Sequence, residues 1–233
     1  MGLRMPAGVQ KLALIAGLAL LSALGHGWAT PVFAQQSKLS ASSDPGELWA
    51  FVKRMDARIK TDPQAKYYAG KGQALEWLGK LKEAGDEYSE AIKRAPSNRD
   101  YLVCRARVQR RRGLWRQGER DYGQAISLGD RTSEVFSGRG RCRLSLKDYK
   151  SAMSDAARAI ELGSNDPMDW YVKGSASYHL RQYKNALSDL NSALKLDPNN
   201  AAFLRTRGRI FQKLDRAVEA EADFSLAREL GTE

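Results

Sequence analysis

Two cysteines and two histidines are all the thiol and imidazole this 233-residue chain offers. That scarcity excludes a zinc site built from several Cys and His ligands, and it excludes a Cys-dense secreted scaffold. Catalytic signatures are equally scarce: there is no Gly-x-Ser-x-Gly elbow, no His-Glu-x-x-His and no phosphate-cradling glycine loop. We therefore expect a non-enzymatic protein with no metal and no cofactor. Negative charge is also short, with 27 Asp plus Glu against 38 Lys plus Arg and a net charge of +11. Such a balance favours anionic partners. Hydrophobic residues make up 42% of the chain, which excludes wholesale disorder.

The apolar run Leu12–Leu24 has 13 residues, whereas about 20 are needed to span a bilayer. Arg4 and Lys11 precede it, and a polar stretch ending Val32-Phe33-Ala34 follows. A basic start, a short apolar run and small residues before a cut describe a signal peptide over residues 1–34, cleaved between Ala34 and Gln35. An uncleaved N-terminal anchor is the alternative. The cleaved reading makes the protein periplasmic or secreted, with no stable membrane insertion afterwards. Residues 35–46 are Ser-rich and without periodicity, as in a flexible leader. Asp44 followed by Pro45 then marks a helix start.

From Ala65 the chain repeats every 34 residues. In rows beginning at Ala65, Arg99, Ser133, Pro167 and Ala201, position 8 holds Gly72, Ala106, Gly140, Gly174 and Gly208. Position 20 holds Ala84, Gly118, Ala152, Ala186 and Ala220, and position 27 holds Ala91, Ala125, Ala159, Ala193 and Ala227. Antiparallel helices approach closely only where side chains are small, so these positions predict helix pairs meeting at Ala and Gly. Larger residues are expected to fill the space around that contact. Position 4 carries Tyr68, Leu102, Phe136, Trp170 and Leu204, and position 30 carries Leu128, Leu162, Leu196 and Leu230. Turn signals recur at Pro96-Ser97-Asn98, Gly129-Asp130, Asn165-Asp166-Pro167 and Pro198-Asn199-Asn200.

These rows resemble tetratricopeptide repeats. The fourth row matches most fully, through Trp170, Gly174, Tyr178, Tyr183, Ala186, Leu190, Ala193 and Pro198. The resemblance implies an all-α right-handed superhelical solenoid of five repeats: 65–98, 99–132, 133–166, 167–200 and 201–233. Residues 47–64 keep the same phase, with Ala50 at position 20 and Ala57 at position 27. They predict an N-terminal capping helix, since a terminal repeat otherwise exposes an apolar face.

The resemblance further implies that positions 2, 5, 9, 12 and 13 of the first helices line a concave groove. Those 25 positions hold eight Lys or Arg and three acids, so they concentrate positive charge. The candidate contacts are Arg107, Arg110, Arg111 and Arg141 at one end and Arg205, Arg209 and Lys213 at the other, with the aromatics Trp77, Tyr171 and Tyr178. Arg forks hold carboxylates bidentately. The expected partner is therefore a protein or peptide of acidic character, or a free C-terminus, within a multiprotein envelope complex. An anionic cell-wall or capsular polymer is the alternative, as is a purely solvated face. Export argues against nucleic acid. The family's chaperone-tail clamp places Asn at position 9, where this chain has Gln73, Arg107, Arg141, Ser175 and Arg209, so that clamp is not carried over.

Cys104 and Cys142 sit on the first helices of neighbouring repeats. An even pair in an oxidising compartment invites a disulfide. Two buried free thiols acting as small apolar groups are the alternative.

Overall fold

A computed structural model of the chain describes residues 39–231. The expected signal peptide and its Ala34/Gln35 cleavage site lie outside the described residues. Among those residues there are eleven α-helices and no strands. They are α1 (Pro45–Thr61), α2 (Ala65–Trp77), α3 (Leu81–Arg94), α4 (Arg99–Arg111), α5 (Trp115–Ser127), α6 (Ser133–Ser145), α7 (Tyr149–Glu161), α8 (Pro167–His179), α9 (Tyr183–Leu196), α10 (Ala201–Lys213) and α11 (Ala217–Glu229). All five first helices begin at the first position of their row. Each packs on its own second helix and on the second helix of the preceding repeat, as in an all-α solenoid.

Local chemistry sets the helix starts. Asn98 Oδ1 accepts the backbone N–H groups of Asp100 and Tyr101 at 3.0 and 3.3 Å, and Asn200 does the same for Ala202 and Phe203 at 3.1 and 3.3 Å. Asp166 caps α8 with Pro167 at its first turn, and Asp44 caps α1 with Pro45 likewise. Each cap satisfies donors that an open helix start leaves unpaired. Within every repeat the turn between helices passes through a left-handed residue at position 15. Gly79 and Gly113 take that conformation in the first two repeats, but Lys147, Arg181 and Asp215 take it at φ 64, 62 and 58° in the last three.

All fifteen Ala and Gly positions are buried, so the small-residue reading of the rows describes the real helix contacts. Gly174 shows how close the approach is: a Cβ there would sit 2.2 Å from Leu190 Cδ2 and 3.1 Å from Asp189 Cβ. Tyr88, Tyr122, Leu102, Leu190 and Leu204 fill the surrounding space.

Two expectations need correcting. Position 30 was expected to fill the core, yet Leu128, Leu162 and Leu196 are exposed. Leu128 and Leu162 are the C-caps of α5 and α7, and Leu196 is the last residue of α9. Ala50 and Ala57 are exposed too. In a complete repeat, positions 20 and 27 meet that repeat's own first helix, and none precedes α1 among the described residues. Instead α1 turns Leu48, Phe51 and Val52 inward, and Phe51 and Val52 join a cluster with Ala69, Leu75 and Tyr88. Leu39 packs on the same cluster, so the Ser-rich leader is anchored at that point.

An ion pair at one place in every repeat was not anticipated. Position 7 is basic and position 23 acidic throughout, and the pairs are Lys71–Glu87, Arg105–Asp121, Arg139–Asp155, Lys173–Asp189 and Arg207–Asp223, each at 2.7 Å. The Arg forks are bidentate, so they orient the two helices of a repeat as well as attract. Asp155 also accepts from Arg143 at 2.8 Å.

Candidate functional site

Consecutive first helices pack on one another, whereas consecutive second helices stand further apart. The array therefore bends toward α2, α4, α6, α8 and α10, which line its inner side. The candidate groove residues lie there, but the structure does not treat them alike.

In the first half, three of the four candidate arginines, Arg107, Arg111 and Arg141, are answered by acids from within. Glu76, on α2, is 5% exposed and accepts from Arg107 Nε at 3.0 Å, Arg107 Nη2 at 3.1 Å and Arg111 Nη1 at 3.1 Å. Tyr88 Oη donates to it at 3.4 Å. Arg107 also donates to Glu134 Oε1 at 3.2 Å, so one guanidinium bridges three repeats. Burial pushes the Glu134 carboxyl up, with Arg107 opposing. Arg141 donates to Asp166 and lies 3.9 Å from Asp169 Oδ1. Asp169 is fully buried and accepts the Ser137 and Ser164 hydroxyls at 2.6 Å each. Burial still raises its carboxyl above the usual range. Arg110 lies beside Tyr122, whose phenol burial pushes up to about 12 against that positive charge. Trp77 is half-buried at the end of α2.

The second half is different. Arg205, Arg209 and Lys213 are exposed on α10, and none of them makes an ion pair among the described residues. Beside them lies an aromatic shelf. Tyr149 stacks on His179 at 4.2 Å, Tyr178 meets the His179 ring edge-on at 5.3 Å, and Tyr171 stacks on Phe203 at 4.9 Å. Tyr171 and Tyr178 are half-buried. Burial, then Lys147 and Arg209, holds the His179 imidazole below its ordinary pKa.

The two sulfurs do not pair. Cys104 lies in the cluster under α1, 3.6 Å from Arg107 Nη2, while Cys142 packs with Ala106 and Tyr122 on the other side of α4. They pack in different clusters and are unbonded in this structure. Burial pushes the thiols up to about 11 and about 12, so both act as small apolar groups. Among the described residues no cluster of His, Cys, Asp and Glu could hold a metal, and no helix is long and apolar enough to cross a membrane.

With this geometry in view, tetratricopeptide repeat family models match residues 65–98, 105–167 and 170–200, together more than half of the chain. The chain belongs to the tetratricopeptide repeat family. No curated protein sequence matches it. Solved structures share the fold of this tetratricopeptide repeat protein at low identity. One is YrrB, described as a TPR protein with an unusual peptide-binding site, at 18% identity and a TM-score of 0.65, over 77% of this chain and 93% of that one. Another is MamA 41-end from Desulfovibrio magneticus RS-1, at 19% identity and a TM-score of 0.65, over 71% and 94%. A tetratricopeptide repeat fold of this kind supports a protein–protein interaction scaffold.

Proposed function

We propose that this protein is a non-enzymatic scaffold of the cell envelope that holds an acidic segment of a partner protein on its inner face. The contacts are carried by the second half: Arg205, Arg209 and Lys213 for carboxylates, Tyr171 and Tyr178 for apolar side chains. One observation carries the reading. These three cations are exposed beside aromatic rings and make no ion pair among the described residues, whereas Arg107, Arg111 and Arg141 are already paired. Arg and aromatic side chains on a concave surface are the groups that dominate protein interfaces. YrrB, of similar fold, is described as having a peptide-binding site, which supports a peptide as the ligand class. The envelope setting rests on the basic start, short apolar run and small-residue cut of residues 1–34.

The test is affinity capture from an envelope extract by the wild-type protein beside the Arg205→Glu/Arg209→Glu variant. The proposal expects one or two proteins with acidic segments, retained by the wild type and lost with the variant. Retention indifferent to the substitutions overturns it, as does retention of anionic polysaccharide alone.

A further inference from the structure

The repeat symmetry lets the first half serve as a template for the second. In the first half a carboxylate at position 12 of one repeat, Glu76, is held by positions 9 and 13 of the next, Arg107 and Arg111, at 3.0 to 3.1 Å. Three repeats further on, those positions are Tyr178, Arg209 and Lys213. The two cations recur at the equivalent places, and the position that supplied the carboxylate carries a tyrosine. Other interfaces of the array lack the set. The Arg141 guanidinium is engaged by Asp166 and Asp169, and position 9 of repeat four is Ser175.

The charges that act on the histidine beside the second site are positive. His179 ends α8 next to Tyr178. The charges that act on it are Lys147, from the turn before α7, and Arg209, from α10. Its other neighbours are the neutral rings of Tyr149 on α7 and Tyr178 on its own helix, with Tyr183 of α9 packed against Tyr178 at 5.8 Å. The one carboxylate adjoining Lys147 in sequence, Asp148, caps α7 by accepting the Ser151 N–H. Lys147, His179, Arg209 and Lys213 are all exposed.

We propose that Arg209 and Lys213 form a seat for a carboxylate of the partner, over Tyr178 and beside His179, on the plan by which Arg107 and Arg111 hold Glu76. This deepens the proposed function and rests on it for the nature of the partner. A carboxylate in the seat offsets the positive field that now disfavours protonated imidazole, so the pKa of His179 rises on occupation. By linkage, binding takes up protons and tightens as the pH falls toward the unperturbed histidine value of about 6.5 and below.

The experiment titrates the full chain with hexa-aspartate by calorimetry at pH 7.5 and 5.5. The His179 ring is followed in parallel by NMR, its signal assigned with His179→Gln. The expected result is binding that tightens about three-fold or more at the lower pH, with the His179 pKa raised in the complex. His179→Gln removes the difference between the two pH values. Arg209→Glu weakens binding by about ten-fold or more. Tyr178→Glu returns an internal carboxylate to position 12 and weakens binding comparably, while its circular dichroism stays that of the wild type. Peptide that binds without moving His179, and equally well to Arg209→Glu, overturns the seat and leaves the groove reading standing. If the peptide does not bind at all, sulfate decides: a His179 pKa that rises with sulfate in the wild type but not in Arg209→Glu keeps the seat and sinks the peptide reading. No response to either anion overturns both.

Discussion

The inner face divides into two halves that look alike in composition and behave differently. Arg107 and Arg209 occupy the same position three repeats apart. The first is half-buried in a five-member network with Glu76, Arg111, Glu134 and Tyr88, and the second stands exposed with no ion pair among the described residues. What separates them is the residue at position 12 of the preceding repeat, Glu76 in one case and Tyr178 in the other. A basic residue on a concave surface is therefore available to a partner only if its neighbouring repeat leaves it unanswered.

The sharpest way to break this comparison is to remove each arginine in turn. Arg107→Ala leaves Glu76 buried with its main partner gone, and breaking such a pair costs about 3 kcal/mol. Arg209→Ala removes an exposed side chain and changes stability by no more than about 0.5 kcal/mol. Urea unfolding of the two variants measures both; equal losses would dissolve the distinction between the halves. A lesion aimed at the fold of the second half separates stability from binding. Gly174→Ala pushes a methyl group against Leu190 and Asp189 and is expected to cost about 1–3 kcal/mol. At temperatures where this variant stays folded, acidic-peptide affinity is expected to equal that of the wild type.

Much of this architecture is legible in the sequence. The rows place every first helix, and fifteen small residues locate the contacts between helices. Charge at positions 7 and 23 was legible too, as opposite signs in all five rows. It becomes an ion pair only when two antiparallel helices bring residues 16 apart together. The fate of the groove arginines was not legible, because the acid that neutralises Arg107 comes from another repeat, 31 residues upstream. Row phase also misled at Ala50 and Ala57, because no first helix precedes α1 among the described residues.

The turns carry the same contrast between halves. Gly79 and Gly113 adopt the left-handed conformation freely, whereas Arg181 and Asp215 hold it against the Cβ clash. Arg181→Gly and Asp215→Gly are each expected to stabilise by about 0.5 kcal/mol, read from the thermal midpoint. A loss of stability would show that these side chains contribute contacts that outweigh the strain.

The smallest effect belongs to His179. Its folded pKa lies below the unfolded value, so the unfolded chain takes up a proton first as the pH falls. Stability contributed by this residue is intact above about pH 6.5, declines through the folded pKa, and then levels off. His179→Gln is expected to flatten that part of the pH profile of unfolding. An unchanged slope would show that neither burial nor the charges of Lys147 and Arg209 depress this histidine in the folded chain.

The most direct measurement is an amide chemical-shift map of the protein with and without hexa-aspartate. The division of the inner face predicts that shifts concentrate in α8, α10 and the turn holding Lys147, leaving α2 and α4 in place. Shifts centred on Arg107, Arg111 and Arg141 would contradict it, because the peptide would then be displacing the internal carboxylates that define the first half.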